Sequence, residues 1–158
     1  MMHRSAKFSP CRRYRYTLWR HWGGLTGYVA FIGLNPSTAT ETLDDPTIRR
    51  CMHYAQDWGF SGLCMLNIFA FRATLPKDMK AEPEPIGPEN DLEIHLAAAG
   101  AAMVVAAWGT HGKHLDRDRD VRLLVPKLHH LKLNSDGTPG HPLYLRKTLM
   151  PIPWEPLP

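Results

Sequence analysis

The stretch Tyr28 to Pro36, Y-V-A-F-I-G-L-N-P, constrains the fold more than any other part of the chain. Tyr28 to Ile32 are apolar and rich in strand-forming side chains. A short continuous run of this kind suits a strand covered on both faces, as in the interior of a parallel sheet. Gly33 permits a turn that residues with a side chain resist. Pro36 has no amide hydrogen with which to extend a ladder. The strand therefore ends abruptly and leaves one amide, Asn35, at its carboxyl end. In open α/β sheets, ligands bind just outside the carboxyl ends of the strands.

Three more apolar runs follow. Leu63 to Leu66 stops at Asn67, Ala101 to Ala107 runs into Trp108-Gly109-Thr110, and Leu131 to Leu133 gives a fourth short strand. Asparagine is a poor strand residue, so Asn67 either satisfies a turn or faces a ligand. Between these runs lie helices. Asp45-Pro46 opens the first, with Asp45 as N-cap and Pro46 at the first helical position. Ile48, Cys51, Met52, Ala55 and Trp58 form its apolar stripe, and Gly59 ends it. Asp44 and Asp45 are caps or catalytic carboxylates, a cap being the commoner use of Asp before Pro. Glu89 to Ala99 and Lys113 to about Val125 supply two further helices. Alternating strands and helices predict one α/β domain over residues 1–158. Its architecture is a three-layer αβα sandwich around a central, mainly parallel four-stranded sheet.

The remaining segments are read around that frame. Arg13 to Arg20 alternates as an N-terminal antiparallel edge strand, turned by Gly23-Gly24 into the central strand. Residues 1–12 form a loose arm, and 151–158, P-I-P-W-E-P-L-P, an extended surface tail. Ile68 to Pro88 lacks a period and reads as a lid or wall, with Phe69 or Phe71 offering a ring for stacking.

Composition excludes several classes. No apolar run reaches the length of a membrane span, and M-M-H-R-S-A-K-F lacks a signal peptide's apolar core. Cys11, Cys51 and Cys64 are too scattered for a disulfide scaffold, zinc ribbon or iron–sulfur cluster, which fits a reducing cytoplasm; a monomer is expected. His111 and His114 are one helical turn apart without a third ligand, so no metal is expected. The chain has no P-loop and no G-x-G-x-x-G, and no cofactor is expected. Charge is uneven. Residues 1–40 carry six Lys/Arg and no acid, 41–120 carry eight against thirteen Asp/Glu, and 121–158 carry five against two. The two basic ends either meet a polyanion or form an ordinary solvated surface.

Marked residues thus close successive strands: Asn35, Asn67, Trp108-Gly109 and, in a late loop, His141. Gly33-Leu34-Asn35-Pro36, Met65-Leu66-Asn67, Trp108-Gly109 and Gly140-His141-Pro142, in this order, resemble the motifs of the uracil-DNA glycosylase-like superfamily. G-L-N-P-S-T-A (33–39), D-P-T-I-R-R-C (45–51), N-I-F-A-F-R-A-T (67–74) and G-P-E-N-D (87–91) resemble the domain of unknown function 1643 family. The first resemblance implies a glycosylase that flips a uracil-like or modified pyrimidine out of DNA and cleaves its N-glycosidic bond. It implies catalytic roles for Asn35, which positions water, and His141, which stabilises the leaving base. Asn67, Phe69, Phe71 and Ser37 would bind the base, Ser37 leaving room for a modified one. Leu143, Tyr144, Arg146, Lys147, Trp108 and Gly109 would contact DNA. Two departures are plain: Leu143 stands where the superfamily has Ser, and Asn35 cannot act as a base. A non-catalytic nucleobase-binding module and a hydrolase of free nucleosides or nucleotides are the alternatives.

Overall fold

A computed structural model describes residues 2–158. Seven strands form one sheet: β1 (His3–Phe8), β2 (Arg15–His21), β3 (Tyr28–Gly33), β4 (Gly62–Asn67), β5 (Met103–Ala106), β6 (His129–His130) and β7 (Ile152–Pro153). Their spatial order is β1-β2-β4-β3-β5-β6-β7. The neighbours β4, β3, β5 and β6 run parallel. Pairings β1–β2, β2–β4 and β6–β7 are antiparallel. Four α-helices accompany them: α1 (Pro46–Asp57), α2 (Pro76–Ala81), α3 (Asn90–Gly100) and α4 (Arg117–Leu124). The fold is α/β, and the sheet is mixed and wider than the expected four strands because antiparallel strands flank the parallel ones on both sides.

The pleat of β3 explains why the sheet is covered on both faces. Successive side chains point to opposite sides of a strand. Val29 and Phe31 pack in one cluster with Ile48, Cys51, Tyr54 and Ala55 of α1. Ala30 and Ile32 pack in another with Ile94 and Ala97 of α3 and Val121 of α4. The Phe31 ring packs against those of Tyr54 and Trp58, at ring-centroid distances of 6.2 and 5.8 Å. Burying a side chain of this size stabilises the fold by about 1.5–3 kcal/mol.

The chain crosses from β3 through α1 to β4 on one side. From β4 it returns through α3 to β5 on the other. Connections leaving β3 and β5 therefore run in opposite directions, and a crevice opens beyond their carboxyl ends.

Several local expectations are corrected. The supposed loose arm contains β1, which pairs with β2 from His3↔His21 onward. β2 is consequently not an edge strand; it lies between β1 and β4 and does not touch β3, whose flank the parallel crossover to β4 occupies. A short helix, α2, interrupts the region 68–88. The expected helix from Lys113 is broken. A 3-10 segment, Thr110–Asp116, precedes α4, with Leu115 and Asp116 in left-handed backbone at φ 57 and 55°. Within that segment Gly112 lies on the Trp108 ring, where a side chain would have no room. The fourth parallel strand is His129–His130 rather than Leu131–Leu133. The tail is tied down, since β7 pairs with β6 and the Trp154 amide donates to the Leu128 carbonyl at 2.8 Å. Among the described residues, no helix is long and apolar enough to cross a membrane.

Candidate functional site

The crevice between the ends of β3 and β5 is a cavity of about 830 Å³, within the usual range for small-ligand sites. β3 and its loop contribute Gly33, Leu34, Asn35, Pro36 and Ser37. Asn67 enters from β4, Arg15 from β2, Asp45 from the start of α1, and His141 from the late loop.

Two buried arginines of β2 shape its wall. Arg15 and Arg20 are 2% and 1% exposed. Arg15 donates through Nη1 to the Ala39 carbonyl at 3.1 Å and through Nη2 to Asn67 Oδ1 at 3.2 Å. Arg20 donates through Nε to Asp44 Oδ1 at 2.8 Å and through Nη2 to the Thr40 carbonyl at 2.7 Å. Together they hold the loop from Ser37 to Asp44 over the strand. Burial pulls the Arg15 guanidinium down to about 10, opposed by the nearby Asp45 carboxylate; it remains a cation at neutral pH. Alternation over residues 13–20 alone gives an edge strand and no buried cations. Their signal was present all the same: two cations five residues apart in a strand that also holds Tyr16, Leu18 and Trp19 and that β1 and β4 enclose.

Elementary donor–acceptor rules fix the orientation of both amides. A guanidinium only donates, so the atom of Asn67 facing Arg15 is its oxygen, and Nδ2 remains as the donor for the cavity. The Asn67 backbone carbonyl accepts from Asn90 Nδ2 at 2.9 Å, which pins the strand end. Asn35 is the converse. Its Nδ2 donates to the Ala73 carbonyl at 2.8 Å and to the Pro36 carbonyl at 3.2 Å. Its Oδ1 accepts nothing among the described residues.

His141 caps a 3-10 turn, Pro142–Tyr144, by accepting the Leu143 amide on Nδ1 at 3.2 Å. The neutral ring therefore carries its proton on Nε2. Burial lowers the His141 pKa from its ordinary value, and Asp45 opposes the shift. The loop is fastened to α1. Arg50 donates to the Pro142 and Leu145 carbonyls at 3.0 and 2.7 Å, and the Tyr54 hydroxyl donates to the Arg146 carbonyl at 2.5 Å.

The cavity thus presents an acceptor at Asn35, donors at Asn67 and His141, and a carboxylate at Asp45. Ser37, Gly109 and Leu143 also line it. Tyr144 stands at its mouth, 85% exposed, its ring 5.3 Å from that of His141. Trp108 touches the cavity but is 1% exposed and packs on Trp154, so its ring is wall rather than a surface for DNA. Phe69 does not line the cavity; it is wholly buried in the core beside His114. Phe71 is also outside, edge-on to Tyr14. Arg146 and Lys147 are exposed beyond the cavity. Among the described residues, no three His, Cys, Asp or Glu side chains are placed to hold a metal ion.

Three histidines make stability depend on pH. Burial lowers the pKa of His111, His130 and His141 below the ordinary value of 6.5. The unfolded chain then binds more protons than the folded one once pH falls below about 6.5. Their contribution is complete above that value and is lost as pH falls through the folded pKa. The urea midpoint is therefore expected to drop between about pH 7 and 5, and less steeply in His130→Gln. A flat profile across that window would contradict the burial of these rings.

No curated protein and no solved structure matches the chain. A family model does match, over residues 15–143. That span begins at the buried Arg15 and ends just beyond His141, taking in Asn35, Asp45 and Asn67 and omitting β1, β7 and the tail. By that match the chain belongs to the DUF1643 family, proteins of unknown function.

Proposed function

We propose that this protein is an N-glycosidic-bond hydrolase of the DNA-glycosylase type, acting on uracil or a modified pyrimidine turned out of DNA into the cavity. One observation carries the reading: Asn35, Asn67 and His141, from three separate segments, line a single cavity at the sheet's switch point. The four neighbouring parallel strands with helices on both faces support a uracil-DNA glycosylase-like architecture.

Breaking the bond leaves negative charge on the base and positive charge on the sugar. Donors at Asn67 Nδ2 and His141 Nε2 suit two carbonyl oxygens of a pyrimidine, and they stabilise the anion as it forms. Arg15 is a positioning residue, since it turns the Asn67 amide so that its nitrogen is free. A base that presents an amino group to Asn67 meets donor against donor and is rejected. Asn35 Oδ1 is free to orient water. The half-buried Leu143 and exposed Tyr144 of the Pro142–Tyr144 turn are suited to fill the gap that a flipped base leaves in the stack.

The amide of Asn35 is already spent on two carbonyls and is not ionisable, which favours a second reading: a module that binds the base without cleaving it. Labelled single- and double-stranded oligonucleotides carrying uracil or modified pyrimidines separate the two. Abasic sites revealed by alkaline cleavage are the expected result. Salt-dependent binding without release would favour the module, and neither binding nor release would sink both.

A further inference from the structure

We infer that Asp45 is the general base of this site, the acceptor of the proton that the attacking water gives up. The inference deepens the hydrolase reading and rests on it. Asp45 is the only carboxylate among the described residues that line the cavity; the other ionisable side chains there are Arg15, His111, Lys132, His141 and Tyr144. Its position is fixed, because Oδ1 caps α1 by accepting the Ile48 amide at 2.9 Å. Its other oxygen, Oδ2, accepts no hydrogen bond and meets no cation within 4.0 Å among the described residues. The adjacent Asp44 is different: its carboxylate is taken up by Arg20 at 2.8 Å and Arg4 at 3.7 Å.

Capping does not explain the charge. Asparagine caps a helix as well as aspartate does, and here one oxygen suffices. The charge is felt across the cavity instead. Asp45 acts on both His141 and Arg15 against the effect of their burial. Arg50 holds the His141 loop against the same helix that Asp45 begins. The carboxylate thus lines the same cavity as the base-binding donors Asn67 and His141.

The step balances without any further reactant. The water oxygen bonds to the sugar C1′, and the bond from C1′ to the base nitrogen breaks. That electron pair leaves on the base, held by His141 Nε2 and Asn67 Nδ2. One water proton passes to the Asp45 carboxylate, which later returns it to solvent, while the other hydrogen stays on the oxygen as the new C1′ hydroxyl and donates a hydrogen bond to Asn35 Oδ1, which aims the oxygen. The base later takes up a proton from solvent.

The test is Asp45→Asn, which keeps the cap and removes the charge, with Asp45→Ser as a second capping variant should the first fail to fold. Single-turnover base release is expected to fall by about 10²-fold or more, with the urea midpoint held. By NMR, the His141 titration is expected to move lower still, because the charge opposing its burial is gone. A variant as fast as the natural protein overturns the inference and leaves the hydrolase reading standing. So does a His141 titration that does not move. Absence of release by the natural protein itself overturns both.

Discussion

Replacing His141 by glutamine is expected to slow base release by about 10²–10³-fold, the usual consequence of losing one donor to a developing anion. The size follows from how the ring is held. Nδ1 accepts the Leu143 amide at 3.2 Å, so Nε2 is the protonated nitrogen and needs no reorganisation when charge develops. Glutamine has a donor of similar reach but no second ring atom to fix it, so the donor loses its aim. The cost in stability is small by comparison, about 0.5–1.5 kcal/mol for one hydrogen bond, because Arg50 and Tyr54 anchor the loop independently. Loss of rate with a nearly unchanged urea midpoint is the expected pair of results. Protonation should mimic the mutation. A second ring proton on Nδ1 would meet the Leu143 amide donor to donor, and the cap would open. Equal rates for His141→Gln and the natural protein would remove His141 from the reaction.

The sequence reading reached the corners of this site more surely than its walls. Asn35, Asn67 and His141 were legible because each breaks an apolar run or follows a loop, and a polar residue in such a place needs a reason. The helix at Asp45-Pro46 was legible because cap chemistry is local, and α1 spans Pro46–Asp57 as the signals required. Tertiary facts were not legible. Nothing within residues 1–12 shows that β1 will pair with β2, because a charged and exposed edge strand has little pattern of its own. Nor does alternation reveal that Arg15 and Arg20 are interior. A strand with arginines on it reads as half-exposed until the loop from Ser37 to Asp44 is seen folded over it. The left-handed break at Leu115 and Asp116 is likewise invisible in helical periodicity. Phe69 shows the same limit from the other side. A ring in an irregular segment looks available for stacking, yet the turn after Asn67 sends it into the core, where the Phe69 amide donates to the Leu34 carbonyl at 2.9 Å.

Arg20 provides the largest expected effect on stability. It is 1% exposed, lies outside the cavity, and donates to Asp44, Thr40, Leu43 and its neighbour Trp19. Arg20→Met keeps much of the volume but strands Asp44, which is itself mostly buried, and leaves loop carbonyls without donors. Removing one partner of a buried ion pair costs about 3–5 kcal/mol, and the lower end applies here because Arg4 still lies 3.7 Å from Asp44. Removing the charge on both sides, in Arg20→Met with Asp44→Asn, is expected to recover part of that loss, which a double-mutant cycle in urea measures. The second consequence is functional. The loop that Arg20 fastens carries Ser37 on one side of the cavity and leads directly into Asp45 on the other. Nucleobase affinity should therefore weaken in Arg20→Met although the side chain touches no ligand, and an intact affinity in a folded but destabilised variant would show that Arg15 alone holds the wall.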